Sequence, residues 1–279
     1  MSAKVVLITG ASSGMGLISA MKYIKGGYTV YAAARRMDNM EVLAKFGAKT
    51  IYLDVTDEES AKECVDTIIR NEGCIDILIN NAGYGTYCPV ETTPMEEIRR
   101  QFEVNYFGLV RMTQLVLPHM REQHSGRIIN IASMGANFTI PFGAWYHGTK
   151  YAVKSFTDAL RQETSEFGIK TICIEPGMIQ TDWGIIAANN IRKNAYDNVY
   201  RENMLHAADY FDHLYKNTKK LTNPDVVANA IYKAGTVAKP KTCYHVGKNA
   251  RFFPFAKRLL SDRSFDKICL DFMGIKISG

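Results

Sequence analysis

Apolar and polar positions along this chain follow two rhythms that take turns. Short β-branched or apolar runs at residues 4–9 (KVVLIT), 28–34 (YTVYAAA), 50–54 (TIYLD), 76–80 (DILIN), 127–132 (RIINIA) and 170–175 (KTICIE) read as strands. They are close to continuously apolar, which predicts a sheet buried on both faces. Stretches of helical period lie between them, ending at Gly26-Gly27, near Asn71, near residue 123 and near Phe167. Strand followed by helix, repeated over the first 175 residues, predicts a parallel sheet with helices on both sides. Residues 184–222 break the rhythm: they are helical, rich in Asn, Tyr and Lys, and contain no strand. An insertion there, before the last strand, is suited to a substrate lid. Asn223-Pro224-Asp225 caps a further helix, residues 242–246 form a seventh strand, and residues 250–279 make an amphipathic helical tail. The whole of 1–279 reads as one doubly wound, Rossmann-type α/β domain of about seven strands.

Two helix starts and one irregularity are visible. Thr56-Asp-Glu-Glu59 has the form of a capping box, and Thr93-Pro94 places proline at a first helical position. Asn105 is unfavourable inside a helix and stands close to Gly108, which predicts a local kink and a bound water.

Composition narrows the function. Apolar residues are 47%, enough for a doubly covered sheet, and 34 basic against 28 acidic residues give +6. The excess is spread out, with no stripe of Lys and Arg interleaved with aromatics, which argues against nucleic acid. The six cysteines (64, 74, 88, 173, 243 and 269) and six histidines show no metal-ligand spacing, so the cysteines read as reduced thiols and no metal is expected. An apolar strand from residue 4 leaves no room for a signal peptide, and no apolar run nears about 18 residues. The expectation is a cytoplasmic protein. The tail mixes Phe, Leu and Ile with Lys and Arg; cover for its own domain or a partner subunit is favoured over membrane contact.

The chemistry concentrates at strand ends. The first strand runs into Gly10-Ala11-Ser12-Ser13-Gly14-Met15-Gly16, a glycine-rich turn opening a helix, which can cradle a pyrophosphate on free N–H groups. After the second strand, where a carboxylate would select a ribose 2′-hydroxyl, stand Arg35 and Arg36. Guanidinium groups suit a 2′-phosphate, hence NADP(H) over NAD(H). Asp54, with Val55, lies where adenine would be met, and Asn81-Ala82-Gly83 leaves room for a cofactor over the fourth strand. Ser133 ends the fifth strand, and Tyr146 and Lys150 lie one helical turn apart. A phenol titrates near 10 in water, and a neighbouring ammonium is expected to lower that value. Substrate is expected to meet Ser133, Met134, Phe138, Phe142, His147, Met178 and Trp183, a mostly apolar lining.

Thr9-Gly10-x-x-x-Gly14-x-Gly16, Asn80-Asn81-Ala82-Gly83, Asn105, Ser133, Tyr146-x-x-x-Lys150 and Pro176-Gly177 occur in one order. With these motifs the chain resembles the short-chain dehydrogenase/reductase family from about residue 4 to 247. Tyr244-His-Val-Gly247 and the aromatic, basic tail resemble its 17β-hydroxysteroid- and retinol-dehydrogenase-like branch. The resemblance implies a catalytic tetrad of Asn105, Ser133, Tyr146 and Lys150. It implies cofactor contacts after Pro176-Gly177, at Ile179 and Thr181, and a homodimer or homotetramer. The implied activity is NADP(H)-dependent hydride transfer to or from a small-molecule carbonyl or secondary alcohol, steroid-like or retinoid-like. The competing readings are an NADP(H)-sensing regulator without turnover and an acyl-carrier-protein ketoreductase. His147-Gly148 departs from the family pattern, which has small residues there.

Overall fold

In the computed structural model, which describes residues 3–275, seven parallel strands form one sheet in the order β3-β2-β1-β4-β5-β6-β7. The strands are β1 (Val5–Thr9), β2 (Thr29–Ala34), β3 (Lys49–Tyr52), β4 (Ile77–Asn80), β5 (Gly126–Ile131), β6 (Ile169–Pro176) and β7 (Cys243–Val246). Every predicted strand is present within about two residues, the usual scatter of boundaries. Between them run α1 (Gly14–Lys25), α2 (Glu41–Lys45), α3 (Glu58–Glu72), α4 (Met95–Phe102), α5 (Gly108–Glu122) and α6 (Ala144–Glu163). After β6 come α7 (Trp183–Asn194), α8 (Arg201–Lys216) and α9 (Pro224–Thr236), and after β7 come α10 (Phe252–Leu259) and α11 (Asp262–Phe272).

The period of two along each strand divides its side chains between two cores. Val6, Ile8, Val30, Ile77 and Ile129 pack with Ala20 and Tyr23 of α1 and Val227 and Ile231 of α9. Val5, Leu7, Tyr31, Leu78 and Ile128 pack on the other face with α3, α5 and Leu160 of α6. Strand order reverses between β1 and β4, which opens a crevice at their carboxyl ends, where ligands bind in such sheets. No helix among the described residues is long and apolar enough to cross a membrane.

Local chemistry corrects two of the predicted helix starts. Asp57, not Thr56, caps α3, its carboxylate accepting from the Ser60 amide at 3.0 Å; Thr56 instead donates its hydroxyl to Asp54. Pro94 precedes α4 rather than opening it, and the Thr93 hydroxyl donates to the Pro89 carbonyl and accepts from Trp145 Nε1. The kink expected at Asn105 is a π turn over residues 103–107, between α4 and α5. Asn223 caps α9 with proline at its first position, as read from the sequence.

Candidate active site

The crevice has a backbone-built side and a side-chain-built side. On the first, Gly10 has φ +66° and sits so close to the loop after β4 that a Cβ would come 2.8 Å from the Ala82 Cα. At Gly16 a Cβ would lie 2.5 Å from the Gly10 carbonyl oxygen and from Asn81 Nδ2. Asn81 locks the contact by donating Nδ2 to the carbonyls of Thr9 (3.0 Å) and Gly10 (3.1 Å). Ser13 stands at the N-cap of α1 without making a side-chain cap bond, and no acidic residue follows in the first turn. The N–H groups and positive end of the helix are therefore available to an anion.

Arg36 reaches back over this turn, donating to Ser12 Oγ (3.3 Å) and Ser13 Oγ (3.2 Å). Arg35 lies 3.7 Å from Asp54, whose carboxylate also accepts from the amide (3.0 Å) and hydroxyl (2.8 Å) of Thr56. Burial raises the Asp54 pKa, but these bonds and Arg35 outweigh it and hold the group below the usual carboxylate range. Val55 is buried and packs where a Cβ on Gly108 would lie. Thr181 flanks Gly14, 3.8 Å from where a Cβ would sit.

On the other side, a cavity of about 180 Å³ opens between the carboxyl ends of β5 and β6 and the helices above them. Ser133, Tyr146 and Lys150 all border it, as do Met15, Asn81, Gly83, Pro176, Gly177, Ile179 and Thr181. Ser133 Oγ accepts from the Gly135 amide at 3.1 Å, which fixes the rotamer at the end of β5. Lys150 donates Nζ to the Ile131 carbonyl at 2.9 Å and sits 5.9 Å from the Tyr146 ring centre. Burial lowers the lysine to about 8.

Burial also raises the Tyr146 phenol, while the Ser133 hydroxyl pulls it down. This corrects the expected direction. The lysine is itself desolvated and bonded to a carbonyl, so its charge does not offset what the phenol loses by leaving water.

Asn105 does not point into the cavity's open space. Its Oδ1 accepts from the Tyr84 amide (2.9 Å), and its Nδ2 donates to the Tyr84 carbonyl (2.8 Å) and Thr149 Oγ1 (3.1 Å). The π turn thereby ties the loop after β4 to α6. His147 lines the cavity with its Nδ1 2.9 Å from the Gly135 carbonyl oxygen. Gly135 and Gly143 make room for the ring, since a Cβ at either would come within 2.7 Å of an imidazole atom. Burial lowers His147 to about 4, so it is neutral.

Met134, Phe138, Met178 and Trp183 line the cavity as expected. Phe142 does not. It takes φ +65° in the loop before α6, its carbonyl accepts from the Cys88 amide, and its ring packs behind the wall with the α7–α8 cluster. The expected lid contributes Phe211 and Tyr215 to the lining, and Tyr84, Tyr87, Phe253 and Met273, which the sequence did not point to, border it as well. Tyr87 lies 5.9 Å from Tyr146 and 5.7 Å from Trp183 between ring centres. The only sequence signal for the α8 wall is the spacing of Tyr210, Phe211, Leu214 and Tyr215, which puts them on one face. In the tail, Phe253, Phe265, Cys269 and Met273 are buried, whereas Phe252, Phe255 and Leu259 are more than 60% exposed.

The pattern of the short chain dehydrogenase family matches residues 4–190. A probable short-chain type dehydrogenase/reductase, VdlC, of Helicobacter pylori is 32% identical over 262 residues, 94% of this chain and 95% of the relative. A 3-ketodihydrosphingosine reductase of Bacteroides thetaiotaomicron is 39% identical over 181 residues, 65% of this chain and 66% of the relative. Among solved structures, a short-chain dehydrogenase from Streptomyces avermitilis superposes with a TM-score of 0.78 at 30% identity, covering 97% of this chain and 93% of its own.

Proposed function

Because the chain belongs to the short-chain dehydrogenase family, oxidoreductases that act on CH–OH groups with NAD(P), we propose that it is an NADP(H)-dependent reductase of hydrophobic ketones. The observation that carries this reading is a serine, a tyrosine and a lysine gathered in one apolar cavity beside the glycine turn. The turn fits a dinucleotide: two of its positions exclude a Cβ, and the helix behind it has no side-chain cap. Arg36, bonded to both turn hydroxyls, supports a 2′-phosphate over a bare ribose.

When bound, the nicotinamide supplies the hydride in reduction and accepts it in oxidation. Ser133 donates a hydrogen bond to the carbonyl oxygen as negative charge grows there. Tyr146, which burial keeps protonated at neutral pH, gives that oxygen its proton and takes it back in the reverse direction. Lys150, still charged at neutral pH, stabilises the phenolate left behind and offers donors to the nicotinamide ribose. Asn105 is a positioning residue: its side chain holds the loop after β4 and ties it to Thr149 of α6.

Residues 184–222 act as the lid. The cavity is smaller than the roughly 300–1,000 Å³ of most substrate pockets, which supports outward movement of α7 and α8 as a steroid-like or retinoid-like ketone enters. The lipid ketone named for the Bacteroides relative supports an apolar substrate. Exposed Phe107, at the end of the π turn, and Tyr151, on α6, support a homodimer or homotetramer.

The test is NADPH oxidation against a panel of ketones, with wild type and Tyr146→Phe. Turnover in the variant falls by about 10²–10⁴-fold while NADPH affinity changes little; retained turnover refutes the proton-donor role. Binding of NADPH without turnover of any ketone favours the regulatory reading. Turnover confined to carrier-linked ketones makes it an acyl-carrier-protein ketoreductase.

A further inference from the structure

Behind the cavity, β6 and β7 carry four reactive side chains in a two-by-two block. Cys173 is the register partner of Cys243, and Glu175 that of His245. Residues two apart on a strand share a face, so all four project from one side of the sheet. The two sulfurs and a Glu175 carboxylate oxygen lie within 4.8 Å of one another. His245 Nε2 is 3.9 Å from Cys243 Sγ. Its Nδ1 is 3.0 Å from Glu175 Oε2, a charge–charge contact whose N–H lies off the line of an ideal hydrogen bond. Glu175 is fully buried and is also held by Lys154 Nζ (3.1 Å) and Asn137 Nδ2 (2.7 Å). Thiol, imidazole and carboxylate in sequence are what activates a cysteine nucleophile. Hydride transfer uses none of them.

We propose that Cys243 is a peroxide-reactive thiolate and Cys173 its resolving thiol, the two closing a reversible disulfide between β6 and β7. Adjacent strands run about 4.8 Å apart, inside the span of roughly 4.4–6.8 Å that a disulfide bridges between Cα atoms. The adjoining Cys173 thiol and the His245 imidazolium hold the Cys243 thiol down, and the adjoining Cys243 together with burial pushes Cys173 up. The block therefore holds one thiolate and one thiol, the pairing that exchange chemistry requires. Cys64 and Cys269 are buried with raised values, and Cys74 is raised by burial and Asp76. Cys243 alone combines partial exposure with a lowered value. A divalent metal on the same sulfurs would sit against the Lys154 ammonium, which already neutralises Glu175.

The step balances with hydrogen peroxide as oxidant. The Cys243 thiolate attacks one oxygen, an S–O bond forms, the O–O bond breaks, and the imidazolium proton of His245 converts the departing hydroxide to water. The Cys173 sulfur then attacks the sulfenic acid. The S–S bond forms, the S–O bond breaks, and the hydroxide leaves as a second water with the Cys173 proton, relayed by His245. A small dithiol reverses the process by exchange.

The experiment treats the full chain with equimolar hydrogen peroxide, alkylates the remaining thiols, and maps peptides by mass spectrometry. The expected product is a Cys173–Cys243 linked peptide, lighter by two hydrogen atoms and restored by dithiothreitol. Cys173→Ser leaves a sulfenic acid at Cys243 that dimedone traps, and His245→Asn slows alkylation of Cys243 at neutral pH by about tenfold. Oxidation of Cys74 or of methionines while Cys173 and Cys243 still alkylate freely overturns the proposal. Stoichiometric zinc in the purified protein, lost in Cys243→Ser, overturns it in favour of a metal site.

Discussion

The two sides of the crevice are built differently. Around the glycine turn, positions are fixed by main chain against main chain: Gly10 on Ala82, Gly16 on Gly10, and the Asn81 amide on two carbonyls. Around the cavity they are fixed by rings on rings, with Tyr87, Tyr146, Trp183 and Phe211 drawn from four separate elements. Close backbone approach tolerates almost no change, because nothing flexible can give way. An aromatic cluster can exchange members at moderate cost as long as volume is conserved. The first design suits a ligand that does not vary, and the second suits one that can.

The contrast predicts a graded series of responses. Arg36→Glu replaces a charge-assisted donor by a like charge, and the preference for NADPH over NADH should fall by about a hundredfold or more. Competitive titration of the two nucleotides measures it, and an unchanged ratio would detach Arg36 from the 2′-phosphate.

Acid probes the ring-built side next. Unfolded histidine takes a proton near 6.5, but folded His147 only near 4. Between those values the unfolded chain binds more protons, so stability falls as the pH drops through that window. The loss amounts to about 3 kcal/mol. Chemical denaturation at several pH values should show this slope in wild type and lose it in His147→Gln.

Gly16→Ala drives a Cβ into a carbonyl and an amide, costing about 1–3 kcal/mol. It should lower the melting temperature and weaken nucleotide binding together. If only one of the two moves, the turn and the fold are less coupled than their contacts imply. Phe253→Ala, in the tail's share of the cavity wall, is the mildest: the KM for an apolar ketone rises about tenfold with the NADPH dissociation constant unchanged. An effect on the dissociation constant would erase the distinction between the two sides.

The same contrast explains what could be read from the chain alone. The strands, their parallel sense and the turn are legible because each signal is local: an apolar run, a glycine spacing, an Asn where a helix should not hold one. Asn105 marked the irregularity correctly, although only the structure identifies it as a π turn. Helix caps were less legible, since Thr56 and Asp57 are both good candidates and the choice depends on which side chain Asp54 engages. Phe142 looked like a pocket residue by proximity to Tyr146, but its left-handed backbone turns it behind the wall. The shift at Tyr146 was misjudged because spacing reports which groups are neighbours and says nothing of how much water both have lost. Phe253 and Met273 reach the cavity from the far end of the chain, and no periodicity encodes such a meeting. The pairing of Cys173 with Cys243 was hidden for the same reason: strand register, not spacing, brings them together.

The uncapped start of α1 has a consequence for the protein's lifetime. A ligand that satisfies those amides only in the native state adds to folding stability in proportion to its supply, by about 2.7 kcal/mol when its concentration is a hundred times the dissociation constant. For a domain of ordinary marginal stability that is a large share of the total. Bound to the dinucleotide proposed for this turn, the native chain would resist unfolding, and hence proteolysis, in proportion to the supply of that nucleotide.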